Sequence, residues 1–261
     1  MWAASQGVPP KSAHFTDNST SLDVIDAARA ELTPTGVLRV GLNHANFLLV
    51  TRPAPDAVGV APDLGHELAR RLGVEACFVG YENAGLAADA AARNEWDVAF
   101  IGSDPAREGQ VAFSPAYVEI EATFLVPAGS SITSISDVDA PGVRIAVAER
   151  SAYDLFLRRA MQRATIAYAD SIAGSQALFA RDGLEALAGL KPRLLQDQAA
   201  MPGSRVLDGR FMAVQQAIGT RRRAQAGTTY VAAFARDAID SGLVASLIAK
   251  HQITGLNVVA P

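Results

Sequence analysis

The stretch WDVAFIGSDPAREGQVAFSPAY, residues 96–117, carries the strongest signals for both the fold and the function of the chain. It opens with an apolar strand at residues 98–101, turns at the polar residues 102–105 and then reaches a single arginine, Arg107. Ligands of parallel sheets bind at the carboxyl ends of the strands, and a guanidinium binds an anion through paired hydrogen bonds. The stretch therefore predicts an anion site around Arg107.

Strand-like and helix-like segments alternate on both sides of this stretch. Apolar runs favour strands, and apolar residues three or four positions apart favour helices. The predicted strands are residues 37–42, 74–79, 96–101, 143–147, 165–168, 184–190 and 212–218, and the predicted helices are residues 21–32, 63–72, 84–93, 151–162, 171–180, 230–241 and 243–251. This alternation predicts an α/β fold of mainly parallel sheets flanked by helices, with right-handed crossovers.

The order of these segments divides the chain into two lobes. Residues 129–136 are small and polar, as in a crossover, and residues 219–225 are expected to cross back. We expect an N-terminal arm and helix at residues 1–36, a first lobe at 37–128 and 220–261, and a second lobe at 129–219. Two lobes joined by two crossings form a cleft that can close on a ligand.

Composition and charge narrow the possible partners. The chain has 261 residues and a net charge of −4, which argues against nucleic acid or an anionic membrane as a partner. The basic run at residues 221–223 is interpreted as a solvated helix start. Cys77, the only cysteine, lies in an apolar run and is expected to be a buried thiol. The four histidines lack metal-ligand spacing, so neither a metal nor a cofactor is predicted.

The N-terminal residues 1–20 carry no basic start followed by an apolar core, so they do not form an intact signal peptide. Either a signal was removed or the protein stays inside the cell. A nucleophile elbow of the Gly-x-Ser-x-Gly type and a glycine-rich phosphate loop are both missing from the sequence.

Four segments together resemble one family. They are LRVGL at residues 38–42, APDLGHELARRLG at 61–73, SDPAREGQVAFSPAY at 103–117 and VPAGSSITSISDVDAPGVRIAVAERSAYD at 126–154. In order and spacing they resemble the periplasmic solute-binding proteins of ABC importers, in the polar amino-acid-binding family with the type II fold. The resemblance implies two lobes around a cleft, a small carboxylate ligand, a periplasmic location, a monomer, and the membrane permease subunits of an ABC importer as partners.

The resemblance also implies roles for particular residues. Arg107 matches the arginine that forks onto the ligand's carboxylate, against the alternative of an ion pair with Asp104. Ser151 matches a helix N-terminus that donates to the same carboxylate, and it also serves as a plain N-cap. Phe47 is placed over the ligand or in the core, and Tyr117 lines the ligand site or packs the hinge. Neighbouring residues complete the expected ligand-binding set: Asn43, Gly102, Glu149 and Arg150.

The sequence departs from the family pattern at two places. Asp104 stands where the family often has threonine. Gly189 or Leu190 stands where the family usually has the aspartate that receives an α-ammonium. Either another acid, Asp104 or Glu149, receives the amine, or the ligand is a carboxylate without an amine. Gln215 and Gln216 near the return crossing either bind the ligand or stabilise the hinge.

Two other functions remain open on the same fold. One is a dehydratase acting on prephenate-like acids, as in cyclohexadienyl dehydratase, for which Asp104, Glu149 or His44 would be the general acid. The other is a ligand sensor that takes no part in transport. Since the sequence shows no recognisable catalytic partner for those acids, binding is the leading interpretation and no catalytic residue is assigned.

Overall fold

The structure, a computed structural model, describes residues 18–260, with side chains described from Val24 onward. The predicted arm at residues 1–20 therefore lies outside the described residues, except for the start of the first helix. Within residues 18–260, no helix has the length and apolar character needed to cross a bilayer.

Helices and strands alternate as the sequence predicts. The helices are α1 Asn18–Leu32, α2 Val60–Arg71, α3 Ala84–Asp89, α4 Ala152–Ala160, α5 Ile172–Asp182, α6 Lys191–Ala200, α7 Gln225–Asp240 and α8 Leu243–Lys250. The strands are β1 Leu38–Asn43, β2 Ala76–Tyr81, β3 Val98–Gly102, β4 Val111–Phe113, β5 Val118–Val126, β6 Arg144–Ala148, β7 Thr165–Ala169, β8 Ala186–Leu190, β9 Arg205–Val206, β10 Met212–Arg221 and β11 Asn257–Val258.

The strands form one continuous sheet in the order β2-β1-β3-β10-β5-β8-β6-β7. Strand β1 is parallel to both β2 and β3, and β6 is parallel to both β7 and β8. Between these two parallel halves lie β10 and β5, which are antiparallel to each other and to their outer neighbours β3 and β8. The short strands β4, β9 and β11 add to β10 and β5.

Each parallel half has its own apolar core. In the first lobe, made of β1–β4 with α1–α3, α7 and α8, helix residues such as Leu64 and Phe234 pack with Leu42 of the sheet. In the second lobe, made of β6–β9 with α4–α6, Leu157 packs with Val147. The predicted two-lobed α/β fold is thus confirmed. The exact boundaries at 128/129 and 219/220 stay predictions, because β5 and β10 run through the junction without a break.

Two local predictions differ from the structure, and one helix was not predicted. Residues 219–221 extend β10, and the Arg221 side chain is buried, so it is not part of a solvated helix start. Helix α6 was not predicted from the sequence at all. The Cys77 thiol is exposed because β2 is the last strand of the sheet, where one side of the strand has no neighbour.

Candidate functional site

A cleft that is partly open to solvent lies where strands of both lobes end. Its walls carry residues at or just after the carboxyl ends of six strands, from β1, β2 and β3 on one side and β6, β7 and β8 on the other: Asn43, Glu82, Gly102, Glu149, Asp170 and Leu190. Val214 and Gln216 of the connecting strand β10 line it as well. This is the expected position of a ligand site in a parallel sheet.

Arg107 lies in this cleft as a buried cation. It ends the short 3₁₀ helix Pro105–Arg107 and is 5% exposed. Its guanidinium donates to the Gly102 carbonyl and, at 2.8 Å, to the Arg150 carbonyl. Within residues 24–260 no carboxylate lies within ion-pair distance of it. Burial lowers the pKa of Arg107 to about 10. A buried charge held only by carbonyls is suited to receive an anion.

Asp104 has a partner on the protein itself. Its carboxylate accepts from Arg159 Nη1 at 2.9 Å and from Arg159 Nη2 at 2.7 Å, and it also accepts from the Ala106 amide at 2.9 Å. These hydrogen bonds raise the pKa of the Arg159 guanidinium. Arg159 belongs to α4, so this two-pronged ion pair joins the second lobe to the first.

Helix N-termini from both lobes reach the cleft. Ser151 caps α4, where its hydroxyl oxygen accepts from the Asp154 amide at 3.0 Å, and Ser171 caps α5 by accepting from the Gly174 amide at 3.0 Å. Asn83 caps α3 from the first lobe. All three caps line the cleft. The partial positive charge at helix N-termini adds to the field of Arg107 and favours an anion.

Five of the nine predicted ligand-binding residues line the cleft: Asn43, Gly102, Arg107, Glu149 and Ser151. The other four lie elsewhere in the structure. Asp104 pairs with Arg159, and Phe47 lines a separate groove and packs against the core of the second lobe. Tyr117 is fully buried beside Phe100, with ring centroids 5.9 Å apart. Ligand contact by these residues stays a prediction.

Arg150, the last of the four, contributes through its backbone. Its φ of 63° turns the chain between β6 and α4, and its carbonyl receives Arg107. Its guanidinium donates to Asp89 at 2.7 Å and to the Gly85 carbonyl at 3.2 Å, both in the first lobe. Arg150 therefore ties the two lobes together beside the cleft.

Several residues in the cleft escaped the sequence-based set. Glu82 and Asp170 directly follow β2 and β7, so the strand-end rule would have found them. The aromatic ring in the cleft is Tyr153 of α4, whose pKa burial raises to about 12. Asn46, in the loop after β1, also lines the cleft.

The carboxyl end of β8 carries no acid. Leu190 lines the cleft there, and Lys191, the next residue, donates to Glu121 at 3.0 Å. The resemblance places the ammonium-binding aspartate in this region, so any cationic group of a ligand needs a carboxylate from another strand. Among the described residues no group of three or more acidic, histidine or cysteine side chains is arranged to hold a metal ion.

Solved structures share this fold at low sequence identity. A mutant of ArgBP from T. maritima is 23% identical, with a TM-score of 0.70, over 85% of this chain and 98% of that one. An ancestral amino-acid-binding protein, AncCDT-1, described as a precursor of cyclohexadienyl dehydratase, is 21% identical, with a TM-score of 0.69, over 85% of this chain and 98% of that one.

A third structure is an amino acid ABC transporter substrate-binding protein from Streptococcus pneumoniae bound to L-arginine. It is 17% identical, with a TM-score of 0.69, over 89% of this chain and 99% of that one. No curated protein sequence matches the chain. Residues 38–253 match one family model, which covers the predicted lobes almost completely. The chain belongs to the bacterial extracellular solute-binding proteins, family 3.

Proposed function

We propose that this solute-binding protein captures a small carboxylate-bearing metabolite, an amino acid or a related organic acid, and delivers it to an ABC importer. The observation that supports the proposal is the environment of Arg107. Its guanidinium is buried, lines the cleft and has carbonyl partners but no carboxylate partner among the described residues. A ligand carboxylate would accept the remaining hydrogen bonds of Arg107 and would offset the free-energy cost of burying its charge.

Lobe closure is the proposed mechanism, and contacts around the cleft support it. Arg107 of the first lobe donates to the Arg150 carbonyl of the second, and Arg150 in turn pairs with Asp89 of the first. Asp104 and Arg159 form a further link. A ligand held between Arg107 and the N-terminus of α4 adds one more bridge between the lobes, and this differential contact favours the closed form.

The partners follow from the proposed transport role. We expect a monomer in the periplasm that docks on the membrane permease subunits of the importer. The family description, which names extracellular proteins, supports this location. Fractionation of cells that express the full-length product tests the location, since a cytoplasmic pool would favour the sensor function instead.

The direct test is acid binding by the wild type and by Arg107→Ala. Native mass spectrometry of the purified protein identifies any acid that stays bound, and calorimetry then measures its affinity. We expect Arg107→Ala to weaken binding by about 100-fold or more, because a charge-assisted two-pronged contact is lost. Arg181→Ala is the matched control, since Arg181 is exposed and pairs with its neighbour Asp182. Unchanged affinity in Arg107→Ala contradicts the proposal.

Of the general acids that the sequence suggested for the dehydratase alternative, one lies in the cleft. Of the three residues considered from the sequence, Glu149 lines the cleft, whereas Asp104 is paired with Arg159 and His44 Nε2 accepts from the Ala54 amide at 3.1 Å. One solved structure of the same fold is described as a precursor of cyclohexadienyl dehydratase, so this alternative is tested by an assay. Phenylpyruvate formation on mixing the protein with prephenate would establish it. Tight acid binding without turnover supports the binding function.

A further inference from the structure

The loop between β1 and α2, residues 44–59, forms part of the cleft wall. Ala45 and Asn46 line the cleft directly after β1. The Asn46 Oδ1 atom is buried and has no hydrogen-bond partner among the described residues, so it is available to a donor that enters the cleft. The position of Asn46 depends on how the start of this loop is fixed.

His44 fixes the loop from two sides. Its backbone amide donates to the Tyr81 carbonyl at 2.8 Å, which continues the pairing of β1 with β2. Its ring reaches the tip of the loop, which is closed by a bridge between Arg52 and Val58, and there Nε2 accepts from the Ala54 amide at 3.1 Å. The ring therefore joins the tip of the loop to the end of β1 that carries the cleft residues.

Gly80 of β2 provides the space that the His44 ring occupies. A Cβ atom on Gly80 would overlap the ring atoms Cε1 and Nε2. The φ angle of Gly80 is not positive, so its backbone conformation would accept an alanine. The ring packed over Gly80 is thus the feature that a larger residue at this position would disturb.

The hydrogen bond of the ring depends on its protonation state. Nε2 accepts only in the neutral imidazole, with the proton on Nδ1, whereas a protonated ring would place a second donor against the Ala54 amide. Burial lowers the pKa of His44, which favours the neutral form. Because this pKa is lower in the folded protein than in the unfolded chain, the link is complete above about pH 6.5 and is lost as pH falls through the lowered value.

Nearby charged groups do not take over this role. The titratable side chains of the segments that pack on the ring belong to Arg52 and Asp56 at the loop tip and to Tyr81 and Glu82 at the end of β2. Arg52 Nε donates to the Asp56 carbonyl at 2.7 Å, and the Tyr81 hydroxyl donates to Glu95 at 3.0 Å. In the described part of the chain none of these side chains bonds to the ring, so a proton on His44 gains no carboxylate partner.

We propose that His44 is a positioning residue for ligand binding: its neutral ring holds the loop that carries Asn46 at the cleft, and its protonation releases this loop. The effect on ligand affinity rests on the proposed function, whereas the hold on the loop does not. When only a fraction of the molecules has the loop in place, the apparent affinity falls by that fraction. Ligand affinity therefore falls in acid, and a bound ligand in turn favours the neutral ring.

Hydrogen exchange of the Ala54 amide, followed by NMR, tests the hold on the loop without any ligand. At pH 7.5 we expect this amide to exchange about tenfold faster in His44→Ala than in the wild type, because its hydrogen bond is lost. Gly80→Ala should have the same effect by displacing the ring, and His44→Ala/Gly80→Ala should add nothing to either single change. Equal exchange in His44→Ala and the wild type, or additive effects in the double variant, overturns the proposal.

Calorimetry at pH 7.5 and pH 5.0 tests the effect on binding, with the tightest binder among L-glutamine, L-glutamate and L-arginine as the probe. His44→Gln is the matched variant, since its amide oxygen accepts from Ala54 at both pH values, and it should stay within about threefold of the wild-type affinity at pH 7.5. From pH 7.5 to pH 5.0 the wild-type affinity should fall at least about threefold more than that of His44→Gln.

The comparison of two proteins cancels the titration of the cleft carboxylates, which are the same in both. His66→Gln, at an exposed histidine of α2, controls for the loss of a histidine and should keep the wild-type pH profile. An equal fall in the wild type and in His44→Gln overturns the proposal. If none of the three probes binds, the proposed function loses its support, and exchange of the Ala54 amide at pH 5.0 still decides the hold on the loop. Exchange no faster in the wild type than in His44→Gln at that pH overturns it.

Discussion

Buried charged groups lie at both ends of the first lobe's strands. The protein pairs them with opposite charges at the amino ends, whereas in the described part of the chain it leaves Arg107 without such a partner at the carboxyl ends. At the amino ends of β1 and β3, Asp97 is fully buried and accepts from Arg39 Nε at 2.9 Å, from Arg39 Nη2 at 2.7 Å and from Arg221 Nη2 at 3.1 Å. At the carboxyl ends, Arg107 has no carboxylate partner among the described residues. Charges that the protein pairs itself stabilise the fold, and charges that it leaves unpaired are available to a ligand.

The largest effect on stability is expected at the amino ends. Asp97→Ala leaves Arg39 and Arg221 without their shared carboxylate, and breaking a buried pair of this kind costs about 3–5 kcal/mol of unfolding free energy. Urea unfolding measures this loss, and calorimetry well below the transition should show unchanged ligand affinity. Asp240→Ala, a change at an exposed carboxylate, is the control. A loss below about 1 kcal/mol would show that the buried network contributes little.

The next effect concerns Asp104, which lies at the carboxyl ends of the strands but is paired with an arginine, as Asp97 is at the amino ends. It lies close to Arg107 in sequence but is paired, through Arg159 of the other lobe. Arg159→Ala leaves this buried carboxylate with the Ala106 amide and should cost about 1–3 kcal/mol, since Arg159 itself is half exposed. Because the pair joins the lobes, ligand affinity should also fall, by about tenfold, with ligand preference unchanged.

Asp104→Thr distinguishes the two roles considered for Asp104, a bridge between the lobes and a contact to the ligand. As a bridge between lobes, Asp104 should behave like Arg159, so Asp104→Thr should repeat the effect of Arg159→Ala. A changed ligand preference in Asp104→Thr alone would support the ligand contact that the sequence predicted. Arg163→Ala, at an exposed arginine just beyond α4, controls for the loss of a positive charge.

The contrast also explains what the sequence could and could not predict. The strands and helices were predictable because periodicity and turn residues are local signals. Arg107 was predictable because it follows a buried strand. The partner of Asp104 was not, since Arg159 lies 55 residues away and nothing local connects the two. For the same reason Arg221 was interpreted as solvated, although Asp97, 124 residues earlier in the chain, holds it in the sheet.

The residues of the cleft were predictable only in part, again because some of them follow local signals and others depend on packing. Residues that follow strands, such as Asn43 and Glu149, were found by position, and the same rule would have added Glu82 and Asp170. Tyr153 gave no such signal, because which face of α4 meets the cleft depends on how the second lobe packs. Phe47 was assigned from the resemblance, and the structure turns its ring toward the core of the second lobe.

The lowered pKa of Arg107 gives a pH-dependent prediction of intermediate size. Because the pKa is about 10 in the folded protein and higher in the unfolded chain, the unfolded chain binds more protons above pH 10, and this residue adds stability there as pH rises. Ligand binding has the opposite dependence, since it needs the charged form. Affinity should be constant from about pH 7 up to about pH 9 and then fall, approaching about tenfold per pH unit above pH 10.

Calorimetry with a carboxylate ligand that has no other group titrating in this range measures the fall in affinity. Urea unfolding at each pH confirms that the protein stays folded. A flat affinity up to about pH 10.5 would show that a ligand carboxylate does not depend on the charge of Arg107.

The smallest effect is expected from the cleft carboxylates on the stability of the free protein. Glu149 and Asp170 follow neighbouring strands and repel each other, but they are exposed, so Glu149→Gln/Asp170→Asn should raise the unfolding free energy by no more than about 0.5 kcal/mol. The gain should shrink as salt screens the repulsion. Urea unfolding at low and high salt measures it, with Glu75→Gln/Asp240→Asn as the matched control. A marked loss of stability would mean that these acids have partners in the fold, as Asp97 does, and would end the distinction between the two ends of the sheet.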